Sequence, residues 1–343
     1  MEENNVTIKD NEFFHPPFVV NDFNPAISLT QTVDWGLNKL GMPSIHESGI
    51  TGKGIKIAIL DTRVKADHPD LKGAVVKSLN ATAEPDTVSY GGHGIACAGI
   101  AGGRNNSTGV LGYAPECDIV AIKVMAESGS GNLADIVKGI DMAIAEGCHI
   151  ISMSLGTSSD VSSLRLAVKR ATDKGIFVVA AAGNDGQVDS VNYPGKYENV
   201  IAVAATNQAG DVSAFSSMGW DVDIAAPGER ILCCWKNNGY VTISGTSMAT
   251  PAIAGILACL LQAKLEVTQQ KLYDTAIDIG DVGKDIKSGY GLISPSGYIA
   301  KYTPPPPPPP PVEPIDPNLK VRAAKLKAEE VVVILEDFLN PKV

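Results

Sequence analysis

Between residues 54 and 206 the chain alternates short, almost wholly apolar runs with longer stretches whose apolar positions recur every three or four residues. The runs "KIAILD", "CDIVAIKVM", "CHIISMSLG", "IFVVAAAGN" and "NVIAVAATN" are what strands buried on both faces look like. The stretches "NLADIVKGIDMAIAEG" and "SSLRLAVKRATDKG" predict amphipathic helices closed by glycine. Alternation of the two kinds implies a parallel sheet covered on both faces, an α/β doubly wound domain. In such sheets ligands bind just beyond the carboxyl ends of the strands. Residues 244–265, "SGTSMATPAIAGILACLLQAKL", read as a helix buried in the core. Its mouth carries hydroxyl residues and Pro251, a proline expected within a first helical turn.

Composition changes abruptly after residue 302. "TPPPPPPPPVEPIDP" suits neither strand nor helix, and its run of prolines in polyproline II would extend about 25 Å. Residues 303–318 are therefore expected to be a stiff linker. Residues 319–343 have helical composition with a broad, imperfect apolar stripe, which either docks back on its own domain or tethers a partner or a second copy. The organisation expected is an N-terminal extension (1–30), one main α/β domain (31–302), the linker and the terminal helix.

At 343 residues, 44% of them hydrophobic, the chain has material for one large core or two smaller ones. Its net charge of -10 argues against a general binder of nucleic acid or anionic membranes, since little would neutralise phosphates. Proteins, peptides or cations are the expected partners. The first twenty residues lack the basic start and apolar core of a secretory signal, and no segment reaches spanning length without Gly, Pro or charge. The expected compartment is the cytoplasm, with secretion by a route that needs no signal peptide as the alternative. Six cysteines are scattered without a C-x-x-C pair, as reduced, mostly buried thiols would be, and none is expected to bind metal.

Three polar residues stand at strand ends or in loops. Asp61 ends "KIAILD", His93 lies in "GGHGIACAG", and Ser247 lies at the helix mouth. Singly they read as a helix cap, a satisfied core histidine and a first-turn hydroxyl. Together they are the types needed for nucleophilic acyl transfer: a hydroxyl, a base to deprotonate it, and a carboxylate to orient the base. A helix N-terminus adds backbone donors and a positive dipole end for an oxyanion. Asn184 in "AAAGNDG" offers a further side-chain donor.

In their order, "ILDTRV", "GGHGIACAG", "AAAGN" and "SGTSMATP" resemble the subtilisin-like serine proteases over about residues 31–264, with a layout closest to the intracellular subtilisins. The resemblance implies a three-layer α/β fold with a mostly parallel seven-stranded sheet. It also implies an endopeptidase acting through an acyl-enzyme, with Asp61, His93 and Ser247 catalytic and Asn184 in the oxyanion hole. Substrate would bind as a strand between Gly129, Ser130 and Gly131 on one side and Ser154, Leu155 and Gly156 on the other. Ala181, Ala182 and Gly183 would floor the primary pocket, with Asn192 at its far end making it shallower and more polar. "GRNNSTGVLGYAP" resembles a calcium loop, giving a structural Ca2+ held by the side chains of Gln31, Asp70 and Asn106 and the carbonyls of Arg104, Thr108 and Val110.

This chain departs from the family pattern at Arg63, Ala252, Ile95 and Ala96, none of which carries a proton in the mechanism. Cys97 resembles a buried cysteine beneath the catalytic histidine in one branch of the family. The extension before residue 31 is too short for a folded propeptide, and "FFHPPFVV" (13–20) looks like an inhibitory segment that the enzyme removes itself, or else a plain tail. Two rivals stand beside general proteolysis: maturation of one peptide or virion protein, and an inactive protease fold serving as a scaffold.

Overall fold

The computed structural model describes residues 12–14, 18–23, 30–85, 91–304, 322 and 324–330. Twelve strands are described: β1 (Glu12–Phe14), β2 (Val19–Phe23), β3 (Lys56–Asp61), β4 (Val75–Asn80), β5 (Asp118–Lys123), β6 (Ser130–Asn132), β7 (Ile150–Met153), β8 (Phe177–Ala181), β9 (Val200–Thr206), β10 (Ile224–Pro227), β11 (Ile231–Trp235) and β12 (Gly239–Ser244). Seven of them form one sheet in the order β10-β9-β8-β7-β3-β5-β4, and every neighbouring pair runs parallel. This is the expected seven-stranded α/β architecture.

Alternate residues of the buried strands feed two separate cores. Ile57 and Ile59 of β3 join the core that contains the helices His93–Gly102 and Thr246–Gln262. Ala58 and Leu60 join the core built with Leu133–Ala145 and Ser162–Thr172. The period-two geometry of a strand thus makes three layers from a one-dimensional apolar run. Thr246–Gln262 is buried from Thr246 to Leu260, which is why its sequence shows no polar face.

Two smaller sheets lie outside the apolar pattern. β11 and β12 form an antiparallel pair extended by β2, and β1 pairs antiparallel with β6. Residues 1–303 cluster as one compact unit and residues 304–343 as another. The extension is therefore joined to the main body through its described strands. In the second unit, residues 324–330 are helical and exposed, while the expected linker beyond Pro304 and most of the other residues of the expected terminal helix fall outside the described residues.

One expectation is corrected. Pro251 is not in the first turn but at the sixth position of Thr246–Gln262. A proline there has no N–H to offer the carbonyl four residues earlier, which is that of Ser247. That carbonyl is satisfied from other elements instead: Ser154 Oγ donates to it at 2.9 Å, and the Cys97 thiol at 3.6 Å.

Leu257 is wholly buried at the centre of this helix, so Leu257→Ala is expected to lower unfolding free energy by about 2–5 kcal/mol. Equilibrium urea unfolding measures it, and a loss below about 1 kcal/mol would mean that the helix is not the core of the layer.

Candidate active site

Asp61 is the last residue of β3 and has no solvent exposure. Its carboxylate receives Thr62 N–H at 2.6 Å and the Thr62 hydroxyl at 3.2 Å, both at Oδ1. Thr62 Oγ1 in turn accepts the Gly94 N–H at 3.0 Å, tying the strand end to the start of His93–Gly102. His93 Nδ1 lies 3.0 and 2.9 Å from the two Asp61 oxygens. A carboxylate can only accept, so Nδ1 carries the proton and Nε2 is the basic nitrogen.

Ser247 is the second residue of its helix, fully buried, and its Oγ has no hydrogen-bond partner among the described residues. Cys97 links the two centres: its sulfur is 3.8 Å from His93 Nδ1 and donates to the Ser247 carbonyl. Burial, reinforced by the Asp61 carboxylate, pushes this thiol well above the usual range, so it stays protonated and is a packing and donor group rather than a nucleophile.

Asn184 stands beyond β8. Its Oδ1 accepts from Thr246 N–H at 2.9 Å and from Thr246 Oγ1 at 2.8 Å. Those two donors fix the amide so that Nδ2 faces away from Thr246; a methyl group on Gly245 would come within 3.2 Å of it. The polar side chains at the ends of β3 and β8 and at two helix starts therefore converge, as expected of carboxyl-end sites in a parallel sheet.

The expected pocket residues are also together. Ala181 and Ala182 are fully buried, and Asn192 N–H donates to Ala182 O at 2.8 Å. A methyl group on Gly156 would lie 2.8 Å from Asn192 Cβ, and one on Gly183 would lie 2.8 Å from Asn192 Nδ2. Asn192 thus stands directly between the Gly156 and Gly183 walls. Ser154 and Leu155 follow β7 and are buried. Gly129 precedes β6, where Ser130 and Gly131 pair with Phe14 and Phe13.

The chain's own N-terminal strands cross this region. After β1 has paired with β6, the Phe18 ring lies 4.9 Å from the His93 ring, centroid to centroid, and β2 then pairs with β12, with Val19 opposite Ser244. Residues 15–17, including both prolines of the expected inhibitory motif, fall outside the described residues.

Residues of the expected calcium loop gather around Asp70. Its Oδ2 accepts Val110 N–H at 2.8 Å, and Asn106 Nδ2 is 3.5 Å from its Oδ1. Gln31 Nε2 donates to the Arg104 carbonyl at 2.7 Å, and Asn106 Oδ1 accepts the Thr108 N–H at 3.1 Å. Gly109 closes the loop, because a methyl group there would fall on both Asp70 oxygens.

Nothing local in the sequence points to the Ser154 hydroxyl on the Ser247 carbonyl, nor to Trp235 or Glu127. Trp235 ends β11, and its indole packs on Gly92, where a methyl group would be 2.8 Å from the ring. Glu127, between β5 and β6, has both carboxylate oxygens buried without a well-formed hydrogen bond. Burial raises its acid to about 7, against the opposing pull of Lys123 and of the backbone N–H and guanidinium of Arg63, with Glu84 adding repulsion. Lys123 is itself paired with Glu84 at 2.5 Å. The tandem glycines before His93 are the one sequence clue to both neighbours, since Gly91 also touches Glu127.

Comparison with known proteins gives the family of the chain. The model of the "Subtilase family" matches residues 52–291. The "Thermostable alkaline protease" of Halalkalibacterium halodurans is 43% identical over 261 residues, which are 75% of this chain and 72% of that protein. The "Minor extracellular protease Epr" of Bacillus subtilis is 39% identical over 283 residues, 79% of this chain and 43% of that one. "Subtilisin Savinase" of Lederbergia lenta is 41% identical over 232 residues, 68% of this chain and 85% of that one.

The raised acid of Glu127 has a pH signature. Its folded-state value lies above the ordinary 4.5, so its contribution is full below about pH 4.5 and is lost as pH rises through about 7. Solvent screens part of the effect, because the side chain is half-buried. Glu127→Gln is expected to raise Tm at pH 8 and to leave it nearly unchanged at pH 5. Equal shifts at the two pH values would assign the effect to packing.

Proposed function

Because the chain belongs to the subtilase family and is a serine endopeptidase, we propose that Asp61, His93 and Ser247 are its catalytic triad, with Asn184 the side-chain donor to the oxyanion. The Asp61–His93 pairing beside the Ser247 helix mouth carries this reading. His93 Nε2 takes the Ser247 proton as Oγ attacks the scissile carbonyl, and returns it to the leaving amine. Asp61 holds the tautomer and stabilises the imidazolium. Asn184 Nδ2 and the backbone N–H at the helix start stabilise the developing negative charge. Water then releases the acyl group by the same steps.

Substrate is read as an added strand on β6, facing residues 154–156, where backbone pairing supplies affinity and pockets supply choice. Asn192 between its two glycine walls shortens the primary pocket and gives it a polar end, favouring medium or polar side chains. The extension acts as a self-inhibitory segment, which the enzyme removes. Three contacts support this: β1 on the substrate edge, Phe18 on His93, and β2 on the strand leading to Ser247. A cytoplasmic location belongs to the same reading, supported by six free, buried thiols; secretion is the competing one, since one relative is named as extracellular.

A structural calcium fits the loop around Asp70. The donor set is a carboxylate, two amides and backbone carbonyls, all oxygen, as a hard cation requires. The approach of Gly109 to Asp70, closer than a side chain would permit, makes the loop a cradle. Gln31, Asp70 and Asn106 would hold the ion by side chains, and Arg104, Thr108 and Val110 by carbonyls. Bound there, it would brace the loop against the end of His93–Gly102 and supply no chemistry to the reaction.

A fluorophosphonate probe with intact-mass analysis tests triad and segment together. Wild type is expected to label at Ser247 and to lose its first residues in calcium, whereas Ser247→Ala does neither. Phe18→Asp, which removes the aromatic contact with His93, is expected to label on the order of tenfold faster. Equal labelling rates and an untrimmed wild type would end the inhibitory reading. For the metal, chelation is expected to lower the Tm of wild type by several degrees and that of Asp70→Asn by much less; equal shifts would remove calcium from this loop.

A further inference from the structure

Phe18 is held by two rings. Its centroid is 4.9 Å from that of His93 at a tilt of 44°, and 6.5 Å from that of Trp235 at 69°. The next residue, Val19, is 56% exposed, and Val20 packs against the core, so strand alternation turns Phe18 inward. Trp235 is 7% exposed and reaches its place because Gly92, at φ +95°, has no side chain to meet the indole. Its Nε1 is buried without an acceptor among the described residues. A buried unsatisfied donor is unfavourable, so packing alone would favour an apolar residue here.

From these contacts we infer that the slot between His93 and Trp235 is a specificity site for an aromatic side chain on the leaving-group side of the cleaved bond. The inference rests on the triad reading and names what that site selects. Direction comes from the chain itself. Phe14 pairs with Ser130 on the β6 edge, before the catalytic residues, whereas Val19 pairs with Ser244 on β12, just before the Ser247 helix. Phe18 therefore belongs to the part of the strand that departs. His93, which must protonate the leaving amine, lies beside it. A substrate in the same register places its side chain one or two residues after the cut bond in this slot. Ring-on-ring contact at these separations favours aromatic over aliphatic groups of similar area, so phenylalanine, tyrosine or tryptophan is the class selected.

The test uses the full chain in calcium and internally quenched peptides with Phe or Ala one or two residues after the bond cut, the cut being located by product masses. Rates are referred to probe-labelled Ser247, and the ratio within each preparation cancels any loss of folded enzyme. Wild type is expected to show kcat/KM about tenfold higher for Phe than for Ala at one of the two positions. Trp235→Ala and Trp235→Leu are expected to reduce that ratio to about twofold or less. A serine-dependent enzyme with no aromatic preference at either position, or with the preference intact in both variants, overturns the slot alone. Cleavage by Ser247→Ala as fast as by wild type overturns the triad, and the slot falls with it.

Discussion

The carbonyl of Ser247 is the point on which the site is assembled. Inside a helix it should receive an N–H from four residues on, but that residue is Pro251 and has none. A buried carbonyl left alone is costly, and here the hydroxyl of Ser154 and the thiol of Cys97 supply the missing donors. One comes from the end of β7 and the other from the helix that begins with His93. The defect in one helix is thereby converted into two cross-links, which tie the Ser247 backbone to the His93 helix and to the end of β7.

The same economy governs the carboxylate. Asp61 is buried on a strand end where a charge would be unfavourable without partners, and it is satisfied by Thr62 and His93 together. The imidazole cannot turn without breaking a bond to the carboxylate, and the carboxylate cannot turn without breaking its bonds to Thr62. The geometry of the Asp61–His93 pair is thus enforced by hydrogen-bond satisfaction, in a region whose walls are supplied by the packed layers on either side of the sheet.

What could be read from the sequence, and what could not, divides along physical lines. Five of the parallel strands are continuous apolar runs because both faces are buried, and Asp61 and Asn184 stand at or just beyond the ends of two of them. β4 was not visible: "VVKSLN" has an edge position and exposed residues, so it lacks the apolar run. β2 and β12 pair across more than two hundred positions, and nothing local in "VVNDF" announces a partner that distant. Pro251 was misplaced by a turn because propensity knows only that proline dislikes a helix interior, whereas the tertiary structure provides substitute donors. The Asn192 position was legible through likeness, but its contact with both glycine walls belongs to the folded chain.

The covering of strand edges by β1 and β2 has a consequence for the solubility of the chain. Each covers a strand edge, β6 in one case and β12 in the other. Uncovered, those edges present rows of unpaired amide and carbonyl groups, which accept any extended polypeptide in the right orientation, including a second copy of this chain. Such edges invite aggregation, and β1 and β2, by covering them, act against it.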